Sequence, residues 1–337
     1  MHLALLIAVA LARWSTNGPR EASTVDVAVA AGPHPRIFAI SYDAVDGAGI
    51  YRSEDGGSTW ERAAGAPPAD SFVELESDPH DPNRLFATTL HAGFAAFITT
   101  LYRSLDGGAT WTARHGDYLA SSCEVAFDAV EPGVVYVSYG GVLSVFRSDD
   151  GGETFTGFPS PFAGALLASA ADGTLIAAVN TTVYFSRNRG ESWTPAAPLP
   201  VRCPIRAIAA DPDDPTRWYV GSGTELFSCG ELARTDDGGV TWALKADPGG
   251  AINDLATLAS QPGWLYASTG VPEPSVAPGR VLATSDGGET WIDLGGPATD
   301  GIGAIALPDD GSRIYASTGA GVYLRDLRRP RSSPPPR

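Results

Sequence analysis

Apolar residues along this chain come in short alternating runs, not in helical stripes. GIYRS (Gly49–Ser53), TLYRS (Thr100–Ser104) and SVFRS (Ser144–Ser148) form one class of run. RIFAI (Arg36–Ile40), RLFAT (Arg84–Thr88), RWYVG (Arg217–Gly221), WLYAS (Trp264–Ser268) and RIYAS (Arg313–Ser317) form a second. A third lies upstream of these, as in FVELES (Phe72–Ser77) and IRAIAA (Ile205–Ala210). Runs rich in β-branched and aromatic residues, bounded by Gly, Pro and Asp, read as strands. Turn signals such as DPHDPN (Asp78–Asn83) and DPDDPT (Asp211–Thr216) separate the third class from the second. No stretch sustains the apolar period of about 3.6 residues that a helix needs.

One motif punctuates the runs. SEDGGSTW (Ser53–Trp60) returns as SLDGGATW (Ser104–Trp111), SDDGGETF (Ser148–Phe155), TDDGGVTW (Thr235–Trp242) and TSDGGETW (Thr284–Trp291). A degraded copy, SRNRGESW, occupies Ser186–Trp193. The six starts are 51, 44, 38, 49 and 49 residues apart. In a tight turn an Asp accepts nearby backbone N–H groups, Gly supplies positive φ, and the Trp brings an apolar face to pack beneath. Asp55, Asp106, Asp150, Asn188, Asp237 and Asp286 are therefore assigned structural, not catalytic, roles. Each unit reads as four strands, A to D, with the motif in the C–D turn. Repeats of this size with four antiparallel strands indicate an all-β, single β-propeller.

The ends fix the blade count. Six full repeats are followed by a seventh with strands A (Ile302–Leu307), B (Arg313–Ser317) and C (Val322–Asp326) but no D. Trp14 precedes Val27 by 13 residues, the spacing of Trp60 from Val73. Leu11–Thr16 is therefore expected to supply the missing strand and close a seven-bladed ring. The expected boundaries are a signal peptide over 1–12, the propeller over 13–327 and an Arg/Pro-rich disordered tail over 328–337.

Composition narrows the function. An apolar content of 43% suffices for a sizeable core. A net charge of −16 argues against nucleic acid and against electrostatic binding to anionic membranes. The six motif copies hold 11 of the 39 acids, so much of this charge is turn chemistry and points weakly to a cationic partner. No Cys/His metal spacing is present; the spacing leaves two readings open, a Cys203–Cys229 disulfide in an exported chain or three buried thiols. Leu3–Ala12 has signal-peptide length and is too short to span a bilayer, which suggests a secreted or periplasmic monomer.

The motif S-x-D-x-G-x-T-W resembles the Asp-box, or BNR repeat, of a propeller superfamily. That superfamily includes sialidases, xyloglucan-active glycosidases, sortilin-type receptors and photosystem assembly factors. The resemblance covers roughly residues 13–326. It implies a face for the Asp-boxes and an opposite, functional face built from D–A and B–C loops. A sialidase would need an arginine triad, yet Arg36 shares its position with Arg84, Arg217 and Arg313, and Arg52, Arg103 and Arg147 are likewise repeat positions. Xyloglucan-active relatives typically pair two propellers around a cleft, whereas this chain reads as one. No cofactor is implied.

On the loop face the candidates are Asp43, Asp46, His91, Phe94, Phe97, Glu225, Phe227, Glu231 and Glu273, with His115, Asp117 and Tyr118 in the D–A loop after blade 2. Aromatics beside carboxylates suit a glycan, and a protein loop is the other ligand class weighed. Aligning the A strands puts Asp26, Glu74, Glu124 and Asp254 at one register position, with alanines in the other three blades. This places four acids at the channel, toward the loop face. Such a ring could be merely hydrated, could hold Ca²⁺, or could supply the carboxylate pair of a glycoside hydrolase. The leading expectation is a binding or scaffold module, with a sialidase-like or xyloglucanase-like hydrolase as the alternative.

Overall fold

The computed structural model describes residues 13–19, 22–32, 36–43, 47–67, 71–92, 97–120, 122–224, 229–245, 247–270, 279–297 and 301–327. Within these lie seven four-stranded antiparallel sheets, the blades of one propeller. Six are sequential, running from Ala22–Val29 as strand A of blade 1 to Ile292–Asp293 as strand D of blade 6. The seventh has strands Ile302–Ala306, Arg313–Thr318 and Gly321–Asp326, completed by the N-terminal strand Ser15–Gly18. The closure expected from the Trp14 spacing is present, but its strand begins at Ser15. Leu11 and Ala12, like the rest of the expected signal peptide and tail, lie outside the described residues. Thr16 Oγ1 donates to the Val322 carbonyl at 2.6 Å, and the Trp14 indole N–H donates to the Leu294 carbonyl of blade 6 at 3.1 Å.

Each Asp-box is a turn that satisfies itself. In blade 3 the Asp150 carboxylate accepts the N–H groups of Glu153 and Thr154 at 3.0 and 2.9 Å and the Thr154 hydroxyl at 2.6 Å. The Ser148 hydroxyl donates to Asp150 at 2.7 Å and accepts the Gly152 N–H at 2.7 Å. Gly151 and Gly152 have φ of 72° and 84°, and a Cβ on Gly152 would lie 2.4 Å from the Phe86 ring. The degraded copy shows what the pattern tolerates: Arg189 adopts φ 58°, and the Asn188 amide donates to Ser192 Oγ at 2.9 Å where Asp would accept. The boxes share a face with the A–B turns, since the Gly107, Gly151 and Gly238 N–H groups donate to Asn83, Gly133 and Thr216 carbonyls.

Among the described residues the buried apolar side chains form seven clusters, and each joins two neighbouring blades. Phe38, Ile40 and Ile50 of blade 1 meet Phe72, Leu75 and Leu85 of blade 2, with Trp111 alongside. Tyr315 and Val322 of blade 7 meet Val27 and Ile37 of blade 1, beside Trp60. The core therefore lies in the seams. Strand C arginines cross them as well: Arg103 donates to the Gly151 carbonyl of the next box at 2.8 Å, Arg147 to Arg189 at 2.9 Å and Arg234 to Gly287 at 2.9 Å. Arg36 reaches Asn83 Oδ1 of blade 2 at 2.9 Å. These repeat arginines are thus bound to backbone and turns of the following blade.

The box hydrogen bonds also set carboxyl acidity. The hydroxyl and N–H of Thr241, then the Thr235 hydroxyl, hold Asp237 down from 3.8 to about 2. We expect Asp237→Ala to lower the denaturation midpoint more than Asp237→Asn, because Asn can reverse the side-chain bond as Asn188 does. Equal losses in chemical denaturation would show that the hydroxyl bond contributes nothing.

Candidate functional site

Strand A is the innermost strand of each blade, so one of its edges has no sheet partner and its N–H groups need other acceptors. The ring of acids supplies them. Asp26 accepts the N–H of Val27 at 2.7 Å and of Leu75, in the next blade, at 2.8 Å. Glu74 accepts the Val125 N–H of blade 3 at 2.9 Å. Asp254 accepts Leu255 at 2.7 Å and Ile305 of blade 7 at 2.8 Å. Asp26, Glu74 and Asp254 each follow a β-bulge in the A–B pairing. In two of the alanine blades serine hydroxyls accept the alanine N–H itself: Ser138 Oγ that of Ala165 at 3.1 Å and Ser317 Oγ that of Ala304 at 2.8 Å.

The carboxyls are partly open to the channel yet surrounded by protein, and this raises their pKa values. Burial, opposed by the Leu75 and Val27 N–H groups, pushes Asp26 from 3.8 up to about 6. Burial likewise lifts Asp254 to about 7. Burial and the charge of Asp26 lift Glu124 to about 8. Glu74 is raised by burial and by Glu124, and Glu76 by burial and by Asp26.

Glu76 was not among the sequence candidates, although it lies two residues beyond Glu74 on the same strand face, where a strand's two-residue period places it. With Asp26 and Asp254 it lines a channel cavity of about 260 Å³ walled by Val29, Leu255 and Ile305. This cavity follows residues 26–29, 76–77, 254–255 and 304–307, the later parts of the A strands. It therefore extends toward the box face, because strand A runs from the D–A loop to the A–B turn. Among the described residues no group of three or more His, Cys, Asp or Glu side chains is arranged to hold a metal ion, so the ring offers Ca²⁺ no ready cage.

On the loop face, Phe97 opens strand C of blade 2 (Phe97–Ser104) and is 49% exposed. Leu119 and Leu143 are also exposed, at 70% and 64%. His115 and Tyr118 are strand residues, since strand D of blade 2 extends over Thr112–Leu119 where a loop was expected. They pack into the seam with Tyr139 and Phe146, and His115 Nδ1 lies 3.0 Å from the Tyr139 hydroxyl. His91 is half-buried within strand B of blade 2 (Leu85–Ala92). Glu231 is held by the Arg202 N–H at 2.6 Å and Nε at 2.7 Å. Next to this pair a Cys203–Cys229 disulfide ties the loop before strand A of blade 5 to the blade's B–C loop, and Cys123 is a buried free thiol. Asp43 ends strand B of blade 1 (Ile37–Asp43). Asp46, Phe94, Glu225, Phe227, Glu273 and the side chains of Asp43 and Asp117 lie outside the described residues.

The raised carboxyls set a pH dependence opposite to that of the boxes. Between the ordinary value of 3.8 and the folded values of about 6 and about 7, the folded state holds protons that the unfolded chain has released. Stability from Asp26 and Asp254 is therefore greatest at the acid end of this window and falls as pH rises through it. Chemical denaturation across the window should show this decline, and a rise with pH would refute the assignment.

No protein-family model matches the chain. A xyloglucanase from Paenibacillus sp is 26% identical over 92% of this chain and 33% of its own length. A xyloglucanase from Hypocrea jecorina is 30% identical over 65% of this chain and 26% of its own. The chain thus spans a third or less of these curated relatives. Among solved structures, the GH74 xyloglucanase from Xanthomonas campestris superposes with a TM-score of 0.68 at 20% identity, over 96% of this chain and 55% of that one. YCF48 from Cyanidioschyzon merolae gives 0.65 at 15% identity, over 93% and 98%.

Proposed function

We propose that this chain, a seven-bladed Asp-box propeller related to the xyloglucanases and to YCF48, is a secreted or periplasmic glycan-recognising propeller. Its ligand in this reading is a β-glucan of the xyloglucan type, taken on the face of the B–C and D–A loops. The observation that carries the reading is the similarity to a xyloglucanase over 92% of the chain. Phe97 supports it, since a half-exposed aromatic side chain offers an apolar face to the C–H groups of sugars. The disulfide fits an oxidising compartment. No helix among the described residues is long and apolar enough to cross a membrane.

Hydrolysis is the second reading, favoured by the same relatives. Asp26, Glu74 and Asp254 are committed to backbone N–H groups, so in this reading the carboxylate pair comes from acids of the B–C segments, Asp43, Asp46, Glu225 or Glu273. Calorimetric titration of the full chain with xyloglucan oligosaccharides, together with a reducing-end assay, separates the readings. We expect binding that Phe97→Ala weakens roughly tenfold, about 1.4 kcal/mol. Sugar release abolished by Asp43→Asn or Glu225→Gln would establish the hydrolase, and absence of any binding to xyloglucan would overturn both.

A further inference from the structure

The arginines of this chain are used in two ways. Those at repeat positions spend their guanidinium on the following blade, as Arg103 does on the Gly151 carbonyl and Glu153, and Arg234 on the Gly287 carbonyl. Arg202 stands outside the repeat, in the D–A segment that leads into strand A of blade 5 (Ile205–Ala210). Its side chain is 82% exposed on the loop face. It is nevertheless anchored. Nε donates to Glu231 Oε1 at 2.7 Å, and the main-chain N–H donates to Glu231 Oε2 at 2.6 Å. Glu231 is the second residue of strand C of blade 5 (Gly230–Thr235), and its side chain is only 10% exposed.

The backbone on both sides of this pair is fixed. Cys203, next to Arg202, is disulfide-bonded to Cys229, which precedes strand C. The Ile205 N–H donates to the Asn180 carbonyl of blade 4 at 2.6 Å, and the Gly223 N–H donates to the Pro204 carbonyl at 3.0 Å. Gly230 lies so close to the Gly250 carbonyl that no side chain fits there. Glu231 takes up Nε, and the Nη1–Nη2 edge has no partner among the described residues. Two coplanar N–H donors on one edge match the two oxygens of a carboxylate. Because the fork is already anchored, less side-chain freedom is lost when a ligand binds.

We propose that Arg202 is an anion subsite of the loop face and takes the carboxylate of an acidic sugar, a uronate carried by the glycan. This rests on the glycan reading above and extends it from neutral to carboxylate-bearing chains. The net charge of −16 selects among anions. A polyanion is repelled by the acids of the protein, whereas a single carboxylate meets one oriented guanidinium. Glu231 is a positioning residue: it occupies one edge of the fork and turns the other to solvent. Phe97 belongs to blade 2, three blades away in chain order. Aromatic stacking and charge recognition therefore act on different sugars of the ligand.

Arginine side-chain NMR of the full chain tests the subsite without any polysaccharide. The Arg202 Nε–H resonance is assigned by its loss in Arg202→Gln. Sodium glucuronate should shift it, whereas methyl β-glucoside, which lacks the carboxylate, should not, and inorganic phosphate should move it far less. In Glu231→Gln the glucuronate shift should shrink, because the fork loses its charged anchor; an unoriented surface charge would respond more strongly once the neighbouring carboxylate is gone. Calorimetry then compares a xyloglucan oligosaccharide bearing one galactose with the same oligosaccharide oxidised there to galacturonate. The oxidised form should bind about tenfold tighter, and Arg202→Gln should remove the difference. No binding of either oligosaccharide, with the glucuronate shift intact, would sink the xyloglucan reading and leave the subsite standing. An Arg202 resonance indifferent to glucuronate, one moved as far by phosphate, a larger shift in Glu231→Gln, or a galacturonate preference that survives Arg202→Gln would overturn the subsite.

Discussion

Blades of a propeller share no main-chain ladder, so the ring depends on what crosses the seams between them. Among the described residues three kinds of contact recur across them. Seven apolar clusters each draw side chains from two blades. Strand C arginines tie to carbonyls of the next Asp-box. At the axis, carboxylates of one blade accept N–H groups from the innermost strand of the next. The third contact solves a problem that the fold creates, because the inner edge of every blade faces a narrow channel with unpaired donors.

The same residue type behaves oppositely at the two ends of this design. Asp237 in its box collects hydroxyl and N–H donors in an open turn and becomes a stronger acid. Asp254 also accepts two N–H groups, but burial outweighs them and it becomes a weaker one. Acidic composition alone could not distinguish these roles. The difference lies in solvent access, which follows from position in the blade.

The box, the blade boundaries and the closure by the N-terminus were legible because each recurs at a fixed place in a repeat. Asp26, Glu74, Glu124 and Asp254 were legible as a ring for the same reason. Their use was not, because the acceptor is in one blade and the donor in the next, and a linear repeat does not show which atoms cross a seam. Glu76 was missed because one register position was compared, not the two that share the strand face. His115 and Tyr118 were placed in a loop because the long hairpin Phe97–Leu119 breaks the regular strand length. The D–A and B–C loops are the least repetitive part of the chain, where sequence periodicity carries no information.

The central claim is that the channel acids act as acceptors joining one blade to the next. Residue-resolved amide hydrogen exchange addresses it at the donors themselves. The account predicts slow exchange at Leu75, Val125 and Ile305 in the wild-type chain, with Asp26→Ala accelerating Leu75 while leaving Ile305 protected. Fast exchange at all three in the wild type, or a Leu75 amide indifferent to loss of the Asp26 carboxylate, would contradict it.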